Sequence, residues 1–292
     1  MKLSCVVPTL NEEVNVKKFL EGYYTQTKKF HELIFVDGNS KDKTRKIIQD
    51  HIKNNPEIKL VICNRKGPAA ARNNGIDNTT GDYVTFFDAD WSFLNKNAIE
   101  KLTSIKEKNN NIYINVKNIQ PIKFSGLRKY IYLRDKNVSL KLVNMKKCPR
   151  WDEKLGYGED KDFSNKYHEI GFDYFEFTDN EIGLSRAEGN MNFKKILKRY
   201  MWYGRTMPKF FRKYKDKYLN LKIGYVVYII SIIPLFWPIP FIRGFWKGLK
   251  NLEYGIDVPF GQGIIEIISA VGTSIGFFQW LLGIKEIGRD VQ

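Results

Sequence analysis

The chain predicts an α/β fold, a mostly parallel sheet flanked by helices, followed by a C-terminal region of amphipathic and hydrophobic helices. Three observations carry this prediction. Short β-branched and aromatic runs alternate with helix-patterned runs through the first part of the sequence. Those apolar runs end in polar, turn-forming residues. The last part changes character, with a basic aromatic stretch followed by two long uncharged ones.

The elements follow in order. LSCVVPTL reads as the first strand, Val14 to Tyr24 as a helix, and ELIFVDGNS contains the second strand. A helix from Lys43 to Lys53 leads to the strand IKLVICN, and a helix over Ala69 to Asn78 leads to DYVTFFDAD. Gly81-Asp82 is a turn signal, so Tyr83 to Phe87 is the buried strand. Strands alternating with helices argue for parallel pairing through right-handed crossovers. From Ser92 to Lys147 the pattern is weaker, with a helix over Asn97 to Lys108 and a strand over Ile112 to Val116. A further helix starts at Glu159, where acidic residues favour the positive end of the helix dipole.

Composition bounds the function classes. At 292 residues and 43% hydrophobic content the chain supports a substantial core. A net charge of +16 implies an anionic partner: nucleic acid, an acidic membrane surface or a phosphorylated substrate. Three cysteines, Cys5, Cys63 and Cys148, without C-x-x-C spacing indicate neither a disulfide framework nor a zinc site, and suit a reducing compartment. The N-terminus enters a strand pattern at once, so no cleaved signal peptide is expected and chemistry is expected on the cytoplasmic side.

In open α/β sheets ligands sit beyond the carboxyl ends of the strands. The polar residues there are Thr9, Asn11 and Glu12 after the first strand, Asp37 after the second, and Asp88 and Asp90 after the fourth. On extended chain, side chains two apart point the same way, so Asp88 and Asp90 are expected to face one ligand, such as a divalent cation. No G-x-G-x-x-G follows the first strand and no G-x-x-x-x-G-K-[ST] occurs, which argues against a dinucleotide dehydrogenase or a P-loop enzyme.

Between Lys194 and Lys222 stand eleven Lys or Arg and one acid, Asp216, interleaved with aromatics. Ile223 to Ile242 and Ile267 to Ile284 follow, each uncharged apart from the last stretch's flanks and each near the length of about 20 residues that a spanning helix needs. Pro234, Pro238 and Pro240 interrupt the first, and Arg243, Lys247 and Lys250 fall between the two. Two spans, a kinked, re-entrant or in-plane pair, and an apolar core subdomain or dimer interface all remain open. The basic stretch favours an anionic membrane surface as partner.

Five segments in this order carry a resemblance: VVPTLNEE (6–13), VDGNSKDKT (36–44), GPAAARNNGI (67–76), FFDAD (86–90) and GEDKDF (158–163). Together they resemble a family 2 glycosyltransferase of GT-A fold, membrane-associated and inverting. The resemblance implies a catalytic domain over residues 1–190, with a nucleotide-sugar-binding half (1–91) and an acceptor half (92–190). Basic interfacial helices (191–222) and a hydrophobic helical hairpin (223–292) would follow. It implies a nucleotide-sugar pocket of Pro8, Thr9, Asn11, Glu12, Asp37, Arg72, Asp88 and Asp90. Asp37 would accept from the base, Arg72 would pair with the diphosphate, and Asp88 would reach the ribose. Asp90 would ligate a divalent metal, Mg²⁺ or Mn²⁺, with Asp88 assisting through water. Asp160 is implied as the general base for an acceptor hydroxyl, with Glu159 orienting that acceptor. Asp42 and Thr44 read as helix-capping residues, and Asn73 and Gly75 as shaping a turn around Arg72.

Two departures narrow this reading. LKRYMWYGR stands where a processive synthase would carry Q-x-x-R-W, which disfavours chain synthesis. GLSRAEGN offers Ser185 and Arg186 where the family often has a metal-assisting His. His31, His51 and His168 lie away from the strand ends and read as structural. The expected partners are a nucleotide-sugar donor, a lipid-linked or other glycan acceptor and the membrane, with no nucleic acid. A polyprenyl-phosphate acceptor is the rival within the class, and a basic nucleic-acid- or lipid-binding protein without chemistry is the rival outside it.

Overall fold

The computed structural model describes residues 1–93, 95–105, 111–117, 138–178, 184–186, 193–214, 217–231, 233–252 and 256–284. These fall into two compact units, one drawn from 1–122, 136–153 and 159–189, the other including 154–158 and 190–292.

The first unit is built on a seven-stranded sheet. Its elements begin with β1 (Leu3–Thr9), α1 (Glu13–Tyr24), β2 (Glu32–Asp37), α2 (Thr44–Ile52), β3 (Ile58–Ile62), α3 (Pro68–Asp77) and β4 (Tyr83–Phe86). They continue with β5 (Trp91–Phe93), α4 (Ala98–Ser104), β6 (Asn111–Lys117), β7 (Val138–Asn144), α5 (Glu159–Glu169), β8 (Asp173–Thr178) and β9 (Leu184–Arg186). Spatial order is β3-β2-β1-β4-β7-β6-β8, with β5 and β9 forming a separate antiparallel pair. β1 pairs in parallel with β2 and with β4, and β7 runs antiparallel to both β4 and β6. The sheet is therefore mixed and mostly parallel, and β1 lies at the centre of its parallel half.

Burial on both faces explains why β1 and β2 read as continuous apolar runs: every residue of β2 is buried, and of β1 only Pro8 is less than buried. Phe19 on α1 packs edge-on against Phe35, Phe87 and Phe93. Trp91, which follows the Asp88–Asp90 turn, is 5% exposed and packs edge-on against Phe87, so it is a core residue. On the other face α3 lies so close to β1 that a Cβ at Gly75 would stand 2.3 Å from Val6 Cγ1. Gly75 therefore serves helix-to-strand packing, not the shaping of a turn around Arg72.

At the amino ends of the parallel strands Glu32 is 2% exposed and fully engaged. It accepts hydrogen bonds from Ser4 Oγ, the Thr80 and Gly81 N–H groups and Lys59 Nζ. Burial alone would raise this carboxyl, but the bonds from Lys59, Ser4 and Thr80 outweigh it and hold it at about 2.

The second unit is helical: α6 (Phe193–Lys213), α7 (Leu219–Ile230), a 3-10 turn over Pro234–Phe236, α8 (Pro238–Leu249) and α9 (Val258–Leu281). The uncharged stretch 223–242 is not one helix. α7 stops at Ile230, Ser231 Oγ bonds back to the Val227 carbonyl, and α8 starts with Pro238 in its first turn, where a missing N–H costs nothing. Among the described residues one helix, Val258–Leu281, is long and apolar enough to cross a membrane, and half of its apolar window is buried in the bundle. Glycines set the crossings. A Cβ at Gly276 would stand 1.9 Å from the Met201 carbonyl oxygen, one at Gly204 2.0 Å from that of Thr273, and one at Gly244 2.4 Å from that of Gln262. Close backbone contact of this small-residue kind packs helices without large side chains. Buried Glu266 is held by Lys247 at 2.9 Å and by the Tyr228 hydroxyl. Cys5, Cys63 and Cys148 are free thiols.

Candidate active site

The register Thr9↔Asp37 on one side of β1 and Val6↔Phe86 on the other brings the loops after β1, β2 and β4 out of the sheet side by side. The first two loops are knitted together. Asn11 takes a left-handed conformation, φ 54°, tolerated by Asn, and its N–H donates to Ser40 Oγ while its Oδ1 accepts from the Lys41 N–H. The N–H groups opening α1, from Glu12 and Glu13, donate to Thr44 Oγ1 and Asp42 Oδ2. Asp42 and Thr44 do cap a helix, then, but chiefly α1 across the loop as well as the start of α2. Thr9 is buried and donates to the Val36 carbonyl, and Pro8 is half-buried.

Asp37 is the most enclosed of the expected pocket residues. Its side chain is 0% exposed, it accepts from the Asn39 and Ser40 N–H groups and from Ser40 Oγ, and it pairs with Arg45 Nε at 2.5 Å. A carboxylate so enclosed organises the loop after β2. Oδ1 takes the bonds from the two N–H groups and from Arg45, while Oδ2 takes the one from Ser40 Oγ and keeps acceptor capacity, though the side chain is closed to solvent.

Asp88 and Asp90 lie just past β4 in a turn closed by the Trp91 N–H bonding to the Asp88 carbonyl at 3.1 Å. They stand in a turn and not on extended chain, so strand alternation does not set their directions. Asp88 is half exposed, Asp90 is half-buried, and Glu12 is near both. Burial, followed by repulsion from Asp90, Asp88 and Asp42, pushes the Glu12 carboxyl up to about 7, against the lowering bond from Asn15 Nδ2. Three carboxyl groups thus concentrate negative potential at this end of the sheet, which suits a cation. Among the described residues no ready-made group of three metal-ligating side chains exists. Ser185 and Arg186 lie on β9, and their side chains fall outside the described ones.

Arg72 projects from α3 into the same region. It is 8% exposed, its Nη2 donates to Asp88 at 2.9 Å, and its Nη1 stands 3.6 Å from Asp160. Its guanidinium lies 4.4 Å from the centre of the Trp151 ring, which stacks on Phe163 at 4.2 Å. Burial opposes the charge, but Asp160, Asp88 and Glu159 more than offset it and raise the guanidinium above its ordinary value. Asn73 clamps this stack in place: its amide donates to the Trp151 carbonyl and Glu153, and its Oδ1 accepts from the Trp151 N–H. Holding Trp151 is the role of Asn73, rather than a turn.

The acidic run opening α5 divides by burial. Asp160 is 69% exposed at its side chain, whereas Asp162 is sealed at 0% and paired with Lys166 at 2.9 Å. Glu159 is buried at 8%. Of these acids only Asp160 both faces solvent and stands beside Arg72.

Sequence reasoning missed two members of this cluster. Trp151 supplies the face on which Arg72 lies. Lys141 on β7 sits over Tyr113 at 5.5 Å and is held below its ordinary value by burial and by Arg72, against the pull of Asp160. No motif marks Lys141; its only signal was a cation inside a strand pattern. The histidines serve structure, with His51 Nδ1 bonded to the Tyr24 hydroxyl and His168 packed on Phe172.

A mostly parallel sheet with carboxylates gathered past β1 and β4 and flanking helices is a GT-A fold, and solved structures share it. The S. aureus TarS 1–349 structure in complex with UDP-GlcNAc aligns with a TM-score of 0.54 at 15% identity, over 97% of this chain and 92% of that one. A second structure of S. aureus TarS aligns at 0.52, over 94% of this chain and 55% of that one. The family model described as "Glycosyl transferase family 2" matches residues 4–155, and the chain belongs to that family. Among relatives, the GalNAc(5)-diNAcBac-PP-undecaprenol beta-1,3-glucosyltransferase of Campylobacter jejuni is 34% identical over 117 residues, 39% of this chain and 37% of that protein. A Methanococcus voltae protein named as a dolichyl N-acetyl-alpha-D-glucosaminyl phosphate diacetamido-dideoxy-glucuronosyltransferase is 35% identical over 114 residues, 36% and 35% of the two chains. The chain spans little more than a third of the length of these two relatives.

Proposed function

We propose that this chain transfers a single sugar, with inversion, from a uridine-diphosphate sugar to a hydroxyl of a lipid-linked saccharide at the membrane. The observation that carries the reading is Arg72, which touches Asp88 on the donor side and stands beside Asp160 on the acceptor side. One guanidinium joining the two motifs fits a reaction in which a diphosphate departs from one face of the sugar while an acceptor attacks the other.

In this reading the loops after β1 and β2 form the nucleotide pocket through Pro8, Thr9, Asn11 and Glu12. Asp37 holds the loop's shape. Asp90 and, through water, Asp88 would hold a divalent cation, which when bound neutralises charge on the leaving diphosphate. The carboxylate of Asp160 takes the proton from the acceptor hydroxyl as its oxygen bonds to the anomeric carbon. The anomeric carbon–oxygen bond breaks, and its electron pair leaves with the nucleoside diphosphate. The buried Glu159 is suited to orienting the acceptor, and Arg72 to receiving diphosphate charge through a fixed fork of donors. The names of the two relatives, each describing transfer to a polyprenol-borne saccharide, support the acceptor class.

Asp160→Asn tests the mechanism. Nucleotide-sugar binding by calorimetry should persist, while transfer to saccharide acceptors extracted from membranes should drop by about a thousandfold. Retained transfer to a polyprenyl phosphate, an acceptor already ionised, would favour the rival reaction. Absence of any nucleotide binding in wild type would sink the enzyme reading.

A further inference from the structure

The segment 217–252 exposes an apolar surface that its own fold does not cover. Ile223 and Val226 on α7, Ile233 and Leu235 in the elbow, and Ile239, Ile242 and Trp246 on α8 are all exposed, Leu235 by 80% and Trp246 by 65%. The same segment carries five cations, Lys217, Lys222, Arg243, Lys247 and Lys250, and no acid. α8 sorts its residues into three stripes. Pro240, Gly244 and Gly248 are buried, Ile239, Ile242 and Trp246 point outward, and Arg243, Lys247 and, just past the helix, Lys250 lie between them. A helix with an apolar stripe bordered by cations is built to lie in the head-group plane of an anionic bilayer. Trp237 and Trp246 suit that depth, where an aromatic ring has one end in hydrocarbon and one in water.

α9, by contrast, is poorly made for lipid. From Ile265 to Gly276 every residue is buried or half-buried in the bundle, and Glu266, Ser269, Thr273 and Ser274 are among the buried ones. A spanning helix needs an apolar belt facing hydrocarbon along its length. The most exposed large apolar side chains of α9 lie towards its ends, at Phe260 and Ile264 and again at Phe278 and Leu281, with Ile267, Val271 and Ile275 only half-exposed between them.

We propose that the α7–α8 elbow seats this chain in one leaflet of an anionic phospholipid bilayer, with α8 in the plane of the surface and α9 not crossing. The proposal shares its membrane setting with the function proposed above but rests on the exposed side chains of α7 and α8, not on the acceptor chemistry. Lys247 is already paired with the buried Glu266; a protein partner would need acids of its own to match the other cations, whereas lipid phosphates do so directly.

Flotation of the full chain with phosphatidylcholine vesicles and with mixed phosphatidylcholine–phosphatidylglycerol vesicles tests it. Wild type should float with the mixed vesicles, weakly with the neutral ones, and salt should weaken the difference. Leu235→Ser with Ile239→Ser, at exposed positions, should lower partitioning by about tenfold or more with circular dichroism unchanged. Arg243→Gln with Lys250→Gln should abolish the preference for phosphatidylglycerol while leaving weak binding to neutral vesicles. Release from membranes at alkaline pH supports seating in one leaflet; resistance to it means that α9 spans and overturns the proposal. Equal flotation of the serine variant, or vesicle-indifferent wild type that dimerises through Leu235, overturns it too. Nucleotide release from donor in solution reads the catalytic proposal separately, and the surface variants should leave it unchanged.

Discussion

Glu32 opens β2 and Glu12 follows the end of β1, so one glutamate sits at each end of the same parallel strands, yet their carboxyl groups are held at about 2 and about 7. Glu32 is buried and Glu12 half-buried. The difference lies in their neighbours. Around Glu32 the strand starts supply a lysine, a serine hydroxyl and two backbone N–H groups. Around Glu12 the strand ends supply Asp88 and Asp90. The amino end of the sheet is saturated and contributes stability. At the carboxyl end Arg72 pairs with Asp88, but the mutual repulsion of Glu12, Asp88 and Asp90 still raises Glu12, which costs stability when Glu12 is ionised.

Four experiments set these ends against each other. The largest expected effect is at the charged end: Asp90→Asn should reduce donor turnover by about a thousandfold, and titrating Mg²⁺ or Mn²⁺ in a nucleotide-release assay should not restore it. Unchanged turnover would remove the cation from this end of the sheet. At the saturated end, Glu32→Gln should cost up to about 3 kcal/mol, read by urea unfolding at neutral pH. The sign follows from a lowered carboxyl: in wild type the contribution is complete above pH about 4.5 and disappears as pH falls toward about 2. The variant should lack that acid-dependent decline, and parallel acid profiles for the two proteins would refute the saturated picture.

Arg72→Lys keeps the charge but loses the fork to Asp88 and the face laid on Trp151, and should lower donor turnover by about tenfold with little change in melting. The smallest effect is the most diagnostic. Ionised Glu12 is penalised in the folded chain, a penalty absent below pH about 4.5 and complete above pH about 7. Glu12→Gln should therefore stabilise the protein, by on the order of 1 kcal/mol at pH 8 allowing for partial solvent screening, and make no difference near pH 4. Destabilisation at pH 8 would show that Glu12 is held by partners as Glu32 is.

Much of the sheet was legible because its signals are local. The runs LSCVVPT, ELIFVD and YVTF carry their own strand preference, and Pro68 after Gly67 announces α3. Convergence of Glu12, Asp88 and Asp90 also followed, since parallel strands place their carboxyl ends together. What escaped depends on pairings across distance. Glu32 gives no sign in sequence that Ser4, Lys59 and Gly81 will surround it, and Asp37 none that Arg45 and the next turn will enclose it. Trp151 and Lys141 joined the site through the fold of β7 and the loop after it. In the C-terminal region hydropathy measured a length of uncharged chain but not its path, and prolines cut Ile223 to Ile242 into an elbow.

The glycine crossings of the helical unit reverse the usual ranking of which positions tolerate change. Gly204, Gly272 and Gly276, the smallest residues, meet neighbouring backbone where even one methyl has no room. Leu235, Ile239 and Trp246, among the largest, touch little of the protein itself. A saturation scan of this region selected only for folding would thus be most severe at its glycines and most lenient at its bulkiest apolar residues. Any purifying pressure on the latter must come from outside the chain.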